Sequence, residues 1–182
     1  VCSSDLLLRG TDVVVMHPTA DGGYPHTRPR EIVCVPSDYV ATKPLADLQE
    51  MLRHEAMHVD QRRRPSVWAA ACMRRGWWPL PASQIPAALR ERCRINPDTM
   101  AAPFWSWEGH HVPLPLFSSE TPSGLGDVVI KWLDLRTGTT YADAPRSFTS
   151  KHGPSIPQPE HPYEIYAVEA ARQEIVEDRK ST

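Results

Sequence analysis

Nineteen prolines in 182 residues decide where this chain can be helical. Inside a helix a proline removes an amide donor and clashes with the preceding turn, whereas in the first turn it is tolerated. With nine glycines besides, few helices are predicted, separated by long irregular segments. The longest is predicted from Leu45 to about Arg63, with Thr42 as a cap, Pro44 in its first turn and Pro65 as its stop. A last helix is predicted from Pro162 to about Asp178, again with proline in the first turn.

The length suits one domain with a real core, here residues 7–182. The formal net charge of −2 and the pI near 6.5 provide no broad basic footprint for nucleic acid or an acidic membrane surface. The run Arg62, Arg63, Arg64 therefore reads as the solvated end of a helix, where positive charge suits the dipole. No stretch approaches the apolar length that spans a bilayer. The first six residues, VCSSDL, reverse-translate onto the end of a common sequencing adapter. They are read as an artefact preceding a truncated N-terminus and are set apart from the fold. Cys34, Cys72 and Cys93 then remain, odd in number and without CxxC spacing. That pattern favours neither a disulfide framework nor a thiolate metal site and points to a reducing, cytoplasmic compartment, although a chain that has lost a signal peptide would look the same. Composition leaves the oligomeric state open.

Along the chain, TDVVVMHP and EIVCVP read as short strands around a turn-rich loop, ADGGYPHTRPR. PSVWAAACMRRGWWP reads as a helix with Trp68 and Cys72 on one face, and SQIPAALRERCRINPDT as a short helix ending before Pro97. From Pro103 to Ala142 the aromatic and β-branched texture suggests irregular strands or hairpins. APRSFTSKHGPSIPQPEHP reads as a long surface loop.

The first long helix contains His54, Glu55 and His58. At about 100° per residue the two histidines lie about 40° apart, one turn from each other, a spacing at which two imidazoles can share one tetrahedral ion. By chance, on the order of one chain in a hundred of this length would carry the pattern. Its placement says more. Met51, Leu48, Val59, Leu52 and Leu45 form an apolar arc that includes Glu55, while Gln49, Glu50, Arg53, Asp60 and Gln61 lie opposite. Burying an unpaired carboxylate is costly. A zinc ion beside it offers a reason, since the ion acidifies water from which the carboxylate can take a proton.

Two histidines under-coordinate zinc, and the local continuation provides no third ligand, because Gln61 and Arg64 stand where HExxHxxGxxH has glycine and histidine. On the last helix Glu164 heads a stripe with Val168, Ala171 and Ile175, whereas Glu169, Glu174 and Glu177 point elsewhere and Glu160 precedes the helix as a cap or loop charge. Glu164 is thus the predicted third ligand; otherwise it is a first-turn glutamate suited to the helix dipole.

HExxH at His54, Glu55 and His58 followed by Glu164 on a later helix resembles the gluzincin class of zinc metallopeptidases, to which thermolysin belongs. The fragment EHPYEIYA is similar to the ligand helix of small zincin-like proteins. The resemblance implies an α+β, zincin-like minimal metallopeptidase domain with an HExxH helix, a C-terminal ligand helix and a small irregular sheet. It implies zinc held by His54, His58 and Glu164, with Glu55 as general base and later proton donor, acting on a peptide or protein substrate. It further assigns EIVCVP as an edge strand that binds the peptide by main-chain pairing. The ligand helix lies much farther downstream than in thermolysin, and Val168 stands where that pattern has an acidic residue. What orients the histidines is therefore left open.

Three further residues could support a ligand or touch substrate: Gln61, Tyr163, and His26 as an oxyanion donor or a support, against the commoner case of a loop histidine in solvent. Neighbours on a strand face opposite ways, so His110 and His111 are not expected to share an ion. The six tryptophans are expected in the core and cleft wall rather than on a binding platform. The competing function is a zinc-stabilised binding or structural module without turnover.

Overall fold

The computed structural model describes residues 8–122 and 124–178, the last six by backbone alone. The VCSSDL stretch and the side chains of Glu174, Ile175 and Glu177 lie outside the described residues. In chain order the strands and α-helices are β1 (Asp12–Met16), β2 (His26–Arg28), β3 (Ile32–Pro36), α1 (Ser37–Thr42), α2 (Leu45–Arg63), α3 (Pro65–Arg74), β4 (Trp77–Pro79), α4 (Ala87–Arg90), β5 (Trp105–Trp107), β6 (His111–Phe117), β7 (Val128–Asp134), β8 (Thr139–Tyr141), α5 (Arg146–His152) and α6 (Pro162–Asp178). The protein is mixed α+β. Among the described residues no helix is long and apolar enough to cross a membrane. The chain divides into two compact units, 1–65 with 166–182, and 66–165. Helix α6 passes from one to the other between Ile165 and Tyr166.

In the first unit β3 is the central strand, parallel to β1 and antiparallel to β2. This corrects the expectation of EIVCVP as an edge: with Val33 paired to both Val13 and Thr27, both sides of β3 are occupied. The hairpin from β2 to β3 turns through Arg30 and Glu31, both at positive φ (67° and 59°), a conformation that suits right-handed strand twist but disfavours residues other than glycine. Arg63 holds this turn, with Nη2 2.8 Å from Glu31 and 2.9 Å from the Arg9 carbonyl. Arg62 donates to the carbonyl and hydroxyl of Thr27, and Arg64 pairs with Asp60. Arg62 and Arg63 are thus tied into the fold, whereas Arg64 is exposed at the helix end as expected, its partner one turn back on the same helix. The apolar cluster of this unit is Val33, Val35, Met51 and Val59, with Leu48, Leu52 and Tyr39 partly buried against it.

Helix α2 has the predicted span, but its start differs. Pro44 is the N-cap, without a side-chain cap, and Thr42 closes the separate short helix α1, its hydroxyl donating to the Asp38 carbonyl. Leu45, placed in the apolar arc by periodicity, is 71% exposed, whereas Asp60 and Gln61, placed opposite, are buried.

The second unit is built on a five-stranded antiparallel meander, β4-β5-β6-β7-β8. Strands β5 to β8 fall within the stretch read as irregular strands or hairpins, and β4 joins them from before it. Pro113 and Pro115 lie within β6 yet do not break it. The Phe117 N–H and the Pro115 carbonyl both face the Arg92–Arg94 segment, so prolines of the same parity turn their donor-less nitrogens away from β7. The expected helix before Pro97 is only the single turn α4, flanked by 3-10 turns at Ala82–Gln84 and Pro97–Thr99.

The expected surface loop after Ala142 contains α5, closed by Gly153 at φ 85°. Phe148 on α5 is 1% exposed, with its ring 4.9, 5.6 and 5.9 Å from those of Trp132, Trp107 and Trp77. Four of the six tryptophans, Trp77, Trp105, Trp107 and Trp132, are buried. His110 lies in the turn before β6, after Glu108 and Gly109 at positive φ. Its ring lies 4.0 Å from that of His111, tilted by 45°, instead of facing the other way.

Candidate metal centre

Helix α2 buries Met51, Glu55, Ala56, His58, Val59, Asp60 and Gln61. Glu55 is 3% exposed. The Nε2 atoms of His54 and His58 lie 3.0 Å apart, close to the ~3.4 Å edge expected of a tetrahedron with metal–nitrogen bonds of ~2.05 Å. The other nitrogen of His58 determines its tautomer. Its Nδ1 is 2.8 Å from Gln61 Oε1, an atom that can only accept, so Nδ1 carries the hydrogen and Nε2 presents a lone pair. Gln61 thus touches a candidate ligand, from one turn along the same helix.

Glu164, in the first turn of α6, is 1% exposed. One ligand atom from each of His54, His58 and Glu164 lies within 4.8 Å of the others, and this is the one such group of three among the described residues. Two imidazoles and a carboxylate match the donors that bind zinc and neighbouring divalent transition metals. The group could hold a metal ion.

Two residues beside Glu164 were not singled out from sequence. Asn96 Nδ2 donates to Glu164 Oε1 at 2.8 Å. His161 caps α6: its Nδ1 accepts from the Tyr163 N–H at 3.1 Å while Nε2 donates to the Ala102 carbonyl at 2.9 Å. The Asn-Pro-Asp run announces a turn, but nothing local announces its partner 68 residues away.

Glu160 is more than a cap or loop charge. Burial pushes its carboxyl from 4.5 up to about 7, with repulsion from Glu164 adding and Arg94 opposing. The folded chain therefore keeps this proton over a range in which the unfolded chain releases it. Stability of the metal-free protein is expected to fall as pH rises from 4.5 to about 7. Glu160→Gln should flatten that slope in thermal melts of chelator-treated protein; an equal slope in the variant would refute the assignment.

The remaining sequence candidates are His26 and Tyr163. His26 is 3% exposed, not a loop histidine in solvent. Its Nδ1 donates to the Tyr24 carbonyl at 3.0 Å and its Nε2 accepts from Arg28 at 3.2 Å. The Tyr163 ring lies 5.7 Å from that of Trp105 and 5.1 Å from that of His161, and burial pushes its phenol up to about 12.

Compared with family models, with curated proteins and with solved structures, the chain matches none.

Proposed function

We propose that the chain is a zinc-dependent metallopeptidase of gluzincin-like type on a zincin-like fold, acting on an extended peptide or protein. The observation that carries this reading is the clustering of His54, His58 and Glu164 beside a second buried carboxylate, Glu55. A structural zinc site has no need for that carboxylate. Three protein ligands would also leave a coordination position open, as catalytic sites do.

Zinc held by these residues would supply a Lewis acid and lower the pKa of water towards ~7. Glu55, adjacent to His54 on the helix, takes the proton from the attacking water and returns it to the departing amine. Gln61 holds the His58 imidazole in the tautomer whose Nε2 can coordinate. Glu55 is only 3% exposed, so its carboxylate is held out of bulk water.

Metal analysis of purified protein tests the reading. About one zinc per chain is expected, lost in His58→Ala and Glu164→Ala. Stoichiometric zinc in Glu164→Ala would sink the ligand assignment. A wild-type protein that binds zinc but cleaves nothing in a library of unfolded proteins would instead be a zinc-held module without turnover.

A further inference from the structure

We infer that Asn96 is a positioning residue for the candidate metal centre: its side-chain amide sets the rotation of the Glu164 carboxylate and so the oxygen presented to the ion. This rests on the metallopeptidase reading of Glu164 as a ligand.

Asn96 is buried, 8% exposed, and both ends of its amide are assigned by their neighbours. Oδ1 accepts from the Asp98 N–H at 3.1 Å, capping the Pro97–Thr99 turn, and Nδ2 donates to Glu164 Oε1 at 2.8 Å. Flipping the amide would set its oxygen against a carboxylate and its NH2 against an N–H, so a single orientation satisfies both contacts. The turn is itself stiff. Pro97 has a fixed φ, and the Thr99 N–H returns to the Asn96 carbonyl at 3.1 Å. Glu164 has three side-chain torsions, and a ligand that must stop in one rotamer binds an ion better if something already holds it there.

The thermolysin pattern would place an acidic residue one helical turn beyond the ligand, and this chain has Val168 there. Two candidate ligands meet neutral amides, His58 the side chain of Gln61 and Glu164 that of Asn96.

Asn96→Ser separates positioning from the turn, because serine caps as well as asparagine but is too short to reach Glu164. Zinc affinity is measured by competition with a chromophoric chelator, the visible spectrum is recorded with Co2+ in place of zinc, and the metal-free protein is melted. Asn96→Ser is expected to bind zinc about 10- to 100-fold more weakly, with altered Co2+ bands and a metal-free melting temperature close to wild type. Asn96→Ala should match it in affinity and in Co2+ bands while melting lower. Wild-type affinity and Co2+ bands in Asn96→Ser overturn the inference alone. So does weaker binding with unchanged bands and a lowered melting temperature, which assigns Asn96 to the turn only. A wild-type protein that binds no zinc overturns the metallopeptidase reading, and this inference with it.

Discussion

Glu55→Gln is expected to keep stoichiometric zinc and to lower peptide hydrolysis by about two to four orders of magnitude. The substitution changes almost nothing in shape and removes the one property that matters, the ability to take and return a proton. Zinc should stay because the candidate ligand atoms come from His54, His58 and Glu164. The fold should also stay, since glutamine at a position only 3% exposed avoids burying a charge. Metal content and cleavage of an unfolded-protein library, measured on the same preparation, decide the matter. Undiminished cleavage would remove Glu55 from the chemistry, and loss of zinc would make it part of the metal's support.

The largest effect on stability is expected at Phe148. Truncation to alanine should destabilise the protein by about 3–5 kcal/mol, the cost of deleting a fully buried aromatic ring whose cavity only partly collapses. The ring meets Trp132, Trp107 and Trp77 edge-on or tilted, and such contacts add to the transfer term. The His152 ring also packs against those of Trp107 and Phe148, and polar bonds add to these contacts. Trp107 Nε1 donates to the Ser147 hydroxyl, and Lys151 to the Arg75 carbonyl, bonds worth about 0.5–1.5 kcal/mol each. Denaturant titration followed by tryptophan fluorescence will report the change directly, with Phe148→Leu expected to lose much less. A midpoint within error of wild type for Phe148→Ala would mean that α5 does not close the core of the second unit.

Phe148 also illustrates what a sequence conceals. Its segment, rich in proline, serine and glycine, reads locally as loop, and the seven-residue helix within it is too short to be stable by propensity. It forms because a tryptophan cluster built by distant strands accepts one phenylalanine. EIVCVP presents the same difficulty. Its β-branched residues mark a strand, but centre or edge depends on whether β1 pairs with it, and pairing is non-local. Leu45, Asp60 and Gln61 departed from the helical wheel for a related reason: an angle around an axis says which residues share a face, not how far along the helix its neighbours extend.

The local geometry of the site was already legible in the letters. Pro44 and Pro65 bracket α2, and a turn of about 3.6 residues then obliges His54 and His58 to share a face with Glu55 beside them. Pro162 likewise starts α6 and puts Glu164 in its first turn. These are consequences of backbone sterics within a few residues, so one chain read by itself suffices. The choice of Glu164 among the glutamates of α6 needed only the helix period, but its approach to the histidines and the Asn96 amide held against it are contacts between residues far apart in sequence. Folding had to bring them together, because no local rule couples a carboxylate to an asparagine 68 residues away.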